Sequence, residues 1–296
     1  MILKAKAGTE QAGMRLDDGA KALFPRLSKG DIRRIIDRGG CTVAGDLVRV
    51  ASRMLRDGDE IALGVMDREC PFDLSYTPAD MLYEDREYLA VNKAAGLNSQ
   101  RTPYQLKGTV EYAVDRYLKS QRVNEPARVV HRLDAGTSGV IFFPKGKRPA
   151  THISAMLKAG KVEKLYWALV AGNPEEETWK VDIPIGRLSK FRYGAVHSGR
   201  EAHTQFRVMA RGHGAALVEA RPLTGRTHQI RVHLAHSGLP IIGDQAYGGP
   251  AAPRIMLHCR FMAFRASDGR DVAATAAVDE DFTRACGDYG ITPTNS

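Results

Sequence analysis

Apolar residues in the first quarter of the chain recur at helical spacing and then give way to short runs. Those within 16–24 fall on one helical face, and a serine can cap a second helix over 29–38. Two runs typical of strands follow at 41–43 and 60–63, each close to a Gly-Asp turn. The pattern predicts a small αα-β domain over residues 1–66.

A Pro-bearing stretch at 67–79 reads as a linker, and beyond it the pattern mixes strands and helices. Several of the later apolar runs have the length of buried strands and lack a helical pattern between them. This order predicts an α+β domain over 80–296, built on a mixed, mainly antiparallel sheet. Strands are expected at 82–84, 88–92, 139–143 and 165–170, and helices near 110–118, 153–157 and 228–236.

Composition adds a charge preference to this picture. Hydrophobic residues make up 43% of the 296 and charged residues 26%, as in ordinary globular proteins. The 43 Lys and Arg exceed the 34 Asp and Glu, which gives a formal net charge of +9. An excess of this sign favours a polyanionic partner such as structured RNA.

The cysteines and the absence of targeting signals indicate where the protein works. Cys41, Cys70, Cys259 and Cys286 form no Cys-x-x-Cys pair, so we expect reduced thiols rather than a disulfide framework or a zinc site. The chain shows no signal-peptide pattern and no apolar run long enough to span a bilayer. We therefore expect a cytoplasmic protein, a monomer without a membrane partner.

The segment 129–139 carries the densest set of chemically active groups. Asp134 lies between apolar runs, where a carboxylate is costly unless a cation or hydrogen bonds satisfy it. Thr137 and Ser138 could supply hydroxyl donors. By pattern alone, the simpler interpretation is an Asx-type turn, in which the Asp134 side chain accepts hydrogen bonds from the amides two and three residues further along the chain.

Motifs for nucleotide, nucleophile and metal chemistry are missing. The chain has no Walker A run, no Gly-x-Gly-x-x-Gly, and no Gly-x-Ser-x-Gly nucleophile elbow. His228, His233 and His236 cannot share one helical face, so we interpret them as structural or RNA-facing rather than as metal ligands. We expect no cofactor and no metal.

Residues 13–64 resemble the S4 RNA-binding domain. The resemblance rests on Gly13-x-Arg15-Leu16-Asp17, Leu27-Ser28-Lys29, Gly40-x-x-Val43-x-Gly45 and Gly58-Asp59-x-Ile61, in that order. It implies that the basic helix face meets RNA phosphates by shape and charge. That face consists of Lys29, Arg33, Arg34 and Arg38; without the resemblance, a merely solvated face explains it equally well.

Four segments between residues 80 and 265 resemble the RluA-type pseudouridine synthases. In the opening segment, Ala94 stands where the family usually has proline, which bears on the subfamily and not on the reaction. The matching segments are Tyr88 to Leu97, His131-Arg132-Leu133-Asp134-x-x-Thr137-Ser138-Gly139, Lys164 to Ala168, and Pro222 to Leu234 followed by Pro240-x-x-Gly243-Asp244 and Leu257-His258.

The resemblance implies an isomerase that breaks the N1–C1′ bond of a flipped uridine and rejoins the base through C5. It makes Asp134 the catalytic carboxylate, which stabilises or captures the positive character that develops at C1′. Arg231 would be its cationic neighbour, and Tyr166 would stack on the base. It also implies substrate contacts for Arg132, which enters the RNA in place of the flipped base, for Leu257 on the cavity floor, and for His131 and Thr137 of the motif.

Other functions remain open at this stage. An N-glycosidase could use the same Asp134 but would need a second carboxylate or a group that activates water. A non-catalytic RNA-binding protein could keep the fold. Within the family, the S4-like domain favours large-subunit ribosomal RNA over tRNA, and the sequence leaves open whether Asp134 attacks C1′ or removes a proton from C2′.

Overall fold

The computed structural model describes residues 2–65, 74–102, 104–189 and 192–293. The chain forms two compact units: Met1–Tyr76 with Leu97–Arg122, and Thr77–Gly96 with Val123–Ser296. Part of the predicted linker, including Cys70, lies outside the described residues. None of the described helices is long and apolar enough to cross a membrane.

The first unit contains both predicted helices and a small antiparallel sheet with the order β1-β4-β2-β3. Ser28 caps the second helix in a capping box with Asp31, as its sequence position suggests. The first strand was not foreseen, because its residues alternate between exposed and half-buried and carry no apolar run. The elements are β1 (Ile2–Lys6), α1 (Leu16–Leu23), α2 (Lys29–Asp37), β2 (Cys41–Val43), β3 (Asp46–Leu47), β4 (Glu60–Gly64) and α3 (Val110–Ser120).

Residues 97–122, which include α3, belong to the first unit, although the predicted domain division places them in the catalytic part. The amide of Leu106 donates to the carbonyl oxygen of Arg38 at 2.6 Å. The Leu106 side chain also occupies the space beside Gly39 that a Cβ there would need. This long-range packing joins segments far apart in sequence, so no local pattern announces it. The division into two functional domains stays a prediction.

The second unit is built on a sheet with nine strands among the described residues, in the order β5-β6-β7-β14-β8-β13-β12-β9, with β15 paired to β14. Its elements are β5 (Met81–Glu84), β6 (Tyr88–Lys93), β7 (Ser138–Pro144), α4 (Lys147–Lys158), β8 (Glu163–Ala171), β9 (Thr178–Asp182), β10 (Ile185–Arg187), β11 (Tyr193–Ala195), β12 (His203–Arg211), β13 (Ala215–Pro222), α5 (Gln229–His236), β14 (Leu257–Arg265), β15 (Asp271–Thr275) and α6 (Glu280–Asp288).

Every pairing in the large sheet is antiparallel except that of β7 with β14. The predicted α+β class with a mixed, mainly antiparallel sheet is therefore confirmed. One core cluster includes Tyr88, Phe142 and Phe264. The ring of Phe264 meets those of Tyr88 and Phe142 edge-on, at centroid distances of 5.0 and 5.2 Å respectively. Aromatic pairs prefer this geometry.

The parallel contact between β7 and β14 requires a glycine. Gly139 has φ of +112°, and a Cβ there would lie 2.2 Å from the carbonyl oxygen of Cys259. Gly139 and Cys259 are partners in the register of the two strands. The strand that follows the Asp134 loop therefore pairs with β14 in this register only if position 139 has no side chain.

We predict that Gly139→Ala lowers the free energy of unfolding by on the order of 3 kcal/mol, because backbone atoms must separate and the φ is unfavourable. Gly269→Ala is the control: its φ is +88°, and among the described residues no atom lies within 4 Å of its added Cβ. The control should cost only about 1 kcal/mol. Chemical denaturation of both variants measures the difference, and equal losses would contradict the steric account.

Candidate active site

A cavity of about 740 Å³ opens in the second unit, next to the loop that precedes β7. Its wall is formed by that loop, by the start of β8 and by the segment that leads from β13 into α5. The lining includes each predicted catalytic and substrate-binding residue: His131, Arg132, Asp134, Thr137, Tyr166, Arg231 and Leu257. The structure thus brings together side chains separated by up to 126 positions; their roles stay predictions.

Asp134 presents its carboxylate to the cavity. The turn that follows it is closed by the backbone, because the amide of Thr137 donates to the carbonyl oxygen of Asp134 at 3.0 Å. Among the described residues, its carboxylate makes no hydrogen bond to a backbone amide, so the simple Asx-type turn is not the arrangement found. Its closest contacts are to cationic or ionisable side chains.

Arg231 is the cation beside Asp134. Its Nη1 lies 3.3 Å from Oδ2 of Asp134. Its Nε and Nη2 donate to the two carboxylate oxygens of Asp244 at 2.6 and 2.8 Å, a bidentate pair. Burial lowers the pKa of Arg231, but the hydrogen bonds to Asp244 and the charges of Asp244 and Asp134 outweigh it and raise that pKa. The guanidinium is therefore charged and fixed in direction.

Asp244 was missed as a functional candidate, although its segment is part of the family resemblance. It is almost fully buried, and a buried carboxylate must be paired. Its neighbours in sequence, Ile241 and Ile242, are buried too. A carboxylate separated by only one glycine from such an apolar pair is the signal that could have identified it.

His228 and Tyr247 complete the surroundings of Asp134. Nε2 of His228 lies 3.7 Å from Oδ2 of Asp134, and its Nδ1 lies 2.7 Å from the Tyr247 hydroxyl. The guanidinium of Arg231 lies over the Tyr247 ring, 4.8 Å from the centroid. Burial lowers the pKa of His228, against the opposing charge of Asp134. His228 was interpreted as structural or RNA-facing; the structure places it at the cavity.

The remaining predicted residues have distinct environments. Tyr166 faces the cavity from β8, and burial raises its pKa well above the usual value. Nε2 of His131 accepts a hydrogen bond from the amide of Phe142 at 3.0 Å, and burial lowers its pKa to about 3. His131 is thus neutral and ties the motif loop to β7. Arg132 is exposed, whereas Thr137 and Leu257 are buried.

The four basic residues of the predicted RNA-binding face differ in availability. Arg33 donates to the buried Asp17 at 2.7 Å, and Lys29 pairs with Asp18. Arg34 is exposed, with 67% of its side-chain surface accessible. Arg38 is buried and donates to the carbonyl oxygen of Gly64. The expectation that Arg38 contacts phosphate is therefore withdrawn, since its buried guanidinium donates to a backbone carbonyl oxygen.

Lys93 is a buried lysine that sequence reasoning did not single out. Its Nζ donates to the carbonyl oxygens of Ala94 and Ala135 at 3.0 and 3.2 Å, which joins the end of β6 to the loop of Asp134. Burial lowers its pKa to about 7, although the charge of Asp134 opposes the shift. The alternation of side chains along β6 was the available signal. Residues two apart lie on the same face of a strand, and Leu89 and Val91 on the face of Lys93 are buried.

Comparisons with known proteins identify the family of this chain. Residues 87–236 match the RNA pseudouridylate synthase family. An uncharacterized RNA pseudouridine synthase of Aquifex aeolicus is 33% identical over 83% of this chain and 80% of its own length. Ribosomal large subunit pseudouridine synthase D of Yersinia pestis is 33% identical over 85% and 78%.

A solved structure, human RNA Pseudouridylate Synthase Domain Containing 1, superposes with a TM-score of 0.58 at 26% identity, covering 72% of this chain and 86% of that one. The predicted family is confirmed: this chain belongs to the RNA pseudouridylate synthases and is an isomerase. In the described part of the chain, no group of three or more His, Cys, Asp or Glu side chains could hold a metal ion. Independence from metal and cofactor stays a prediction.

The low pKa of Lys93 leads to a prediction about stability and pH. Above about pH 7 the folded protein releases this proton, while the unfolded chain keeps it up to the ordinary lysine pKa of 10.5. Stability therefore rises with pH in this window, because the unfolded state binds more protons. The wild type should gain about 2 kcal/mol relative to Lys93→Met between pH 7 and pH 9.

Denaturant titrations of both proteins at several pH values measure this difference. Lys158 is an exposed lysine on α4, and Lys158→Met is the control. Its free energy of unfolding should differ from that of the wild type by the same amount at every pH. A constant offset for Lys93→Met as well would show that Lys93 is not deprotonated in the folded protein.

Proposed function

We propose that this enzyme isomerises uridines of ribosomal RNA and that Asp134 acts on the ribose of the flipped target nucleotide. The observation that carries the proposal is a single carboxylate, held by Arg231, in a cavity whose other charged lining residues are all cations. Tyr166 lines the same cavity, and its flat ring suits the face of a base.

The charge of the cavity wall supports a polyanionic substrate. Asp134 is the one carboxylate in the described lining. Clustered cations in a concave surface attract phosphate and release its counterions. The cations of the wall are Arg132, Lys158, Lys164, Arg200, Arg226 and Arg231.

A single carboxylate suits an isomerase better than a hydrolase. As the N1–C1′ bond breaks, positive character develops at C1′, and Asp134 stabilises or captures it. The uracil stays in the cavity and turns, C5 bonds to C1′, and the C5 proton is lost while N1 gains one. An N-glycosidase that uses two carboxylates would need the second at the cavity, and Asp244 is instead held bidentately behind Arg231.

Ribosomal RNA is favoured as the substrate for two reasons. Relatives named for the ribosomal large subunit match over most of this chain. The first unit, with its S4-like order of elements, offers Arg34, Lys29 and Arg33 as a basic face that would hold structured RNA. Transfer RNA is the alternative within the same family. The proposal includes a cytoplasmic, monomeric enzyme.

We predict that Asp134→Asn abolishes isomerisation, lowering the rate by at least about a thousandfold, because it keeps the shape and removes the charge. RNA binding should persist. Nucleoside analysis of ribosomal RNA fragments after incubation measures pseudouridine, and Asp182→Asn, outside the cavity lining, is the control. Multiple turnover by an Asp134→Asn preparation free of wild-type and deamidated enzyme would defeat the assignment.

The choice of RNA has its own test. Pseudouridine mapping of total RNA from cells with and without the gene should show sites lost from large-subunit ribosomal RNA. Losses confined to tRNA would contradict the ribosomal assignment and leave the reaction assignment intact.

We predict that Arg34→Gln flattens the slope of log affinity against log salt for structured RNA by somewhat less than one unit. Arg284→Gln is a matched control, since both arginines lie 3.9 Å from an aspartate at i−3 and are similarly exposed. Single substitutions are preferable to removing residues 1–70, because residues 97–122 pack against that part. Equal slopes for both variants and wild type would refute an RNA contact at Arg34.

A further inference from the structure

Tyr247 contacts both groups that face Asp134. Its hydroxyl lies 2.7 Å from Nδ1 of His228, and its ring lies under the guanidinium of Arg231. It also accepts a hydrogen bond from the amide of Tyr193 at 3.1 Å. The reacting carboxylate thus depends on a side chain that does not itself line the cavity.

These contacts favour one tautomer of His228. The amide of Tyr193 can only donate, so it occupies a lone pair of the Tyr247 oxygen. Within the described residues, the acceptor in reach of the hydroxyl proton is Nδ1 of His228. A neutral imidazole that accepts at Nδ1 carries its proton on Nε2, the nitrogen 3.7 Å from Oδ2 of Asp134.

The backbone of His228 adopts an uncommon conformation. His228 has φ of 58° and ψ of 19°, the left-handed conformation, at the N-terminal end of α5. A non-glycine residue adopts this conformation at an energetic cost and only where its surroundings enforce it. The rings of Tyr193 and Tyr247 meet His228 edge-on, with centroids 5.5 and 5.6 Å away, and hold it there.

We propose that Tyr247 is a positioning residue for the reaction: it fixes His228 as the Nε2–H tautomer, so that His228 and Arg231 both face Oδ2 of Asp134 and leave Oδ1 for the ribose. The proposal rests on the proposed function of Asp134. Both nearest contacts of the carboxylate are to Oδ2, and no hydrogen bond reaches Oδ1 from the described residues. One oxygen is held while the other reacts.

The hydrogen bond from the Tyr247 hydroxyl keeps His228 neutral as well as oriented. A donor at Nδ1 stabilises the unprotonated form of that nitrogen. A protonated His228 would bind Asp134 more tightly and reduce its reactivity toward C1′ or the C2′ proton. The charged groups that act on His228 are Asp134 and Asp244, which favour protonation, and Arg231 and Arg132, which oppose it.

Tyr247→Phe tests the proposal, because it removes the hydroxyl and keeps the ring beneath Arg231. Single-turnover isomerisation of an RNA stem-loop should slow about tenfold, the effect of one hydrogen bond, with unchanged RNA affinity. The acid limb of the rate profile should move to higher pH. Nitrogen NMR of the His228 ring should show loss of the pure Nε2–H tautomer.

Tyr83→Phe is the control, since its hydroxyl also donates a hydrogen bond, to Asp85, away from the cavity. It should match wild type in rate and pH profile. A Tyr247→Phe protein with wild-type rate, pH profile and His228 tautomer would overturn the proposal. A wild-type protein that makes no pseudouridine would overturn the proposed function instead, so the two failures are distinguishable.

Discussion

The candidate site depends on one row of charges: Asp134, Arg231 and Asp244. Arg231 has two carboxylates within reach, and the bidentate bonds to Asp244 fix its direction, so that its remaining nitrogen meets Asp134. Burying one guanidinium between two carboxylates is tolerable because every charge has a partner.

The backbone places this row of charges through three sets of contacts. Gly139 allows β7 to lie against β14, which fixes the loop that carries Asp134. Lys93 joins that loop to the end of β6 through the carbonyl of Ala135. On the other side of the cavity, His228 has a left-handed backbone conformation and directly precedes α5. Arg231 lies buried in the first turn of that helix. A reactive group on a loop is thus held by strand and helix ends.

The sequence predicted the fold class, the family and seven of the residues that line the cavity, because these follow from local periodicity and from long matching segments. It did not predict Asp244, Lys93 or the place of His228. Each belongs to the candidate site through a contact with a residue distant in sequence, and spacing along the chain does not encode such contacts. The sequence also did not predict the burial of Arg38, which was expected on the exposed basic face. Its guanidinium donates a hydrogen bond to the carbonyl oxygen of Gly64 instead. The packing of residues 97–122 with the first unit is long-range in the same sense.

The most direct test of the charge row is the single-turnover rate of Asp244→Asn, which keeps the shape around Arg231 and removes the charge that fixes its direction. Asp279→Asn is the control, since Asp279 also pairs with a buried arginine, Arg254, outside the cavity lining. The account predicts that Asp244→Asn binds RNA normally and isomerises it about a hundredfold more slowly, as expected when a preorganised charge is lost. A folded Asp244→Asn enzyme that makes pseudouridine at the wild-type rate would contradict it.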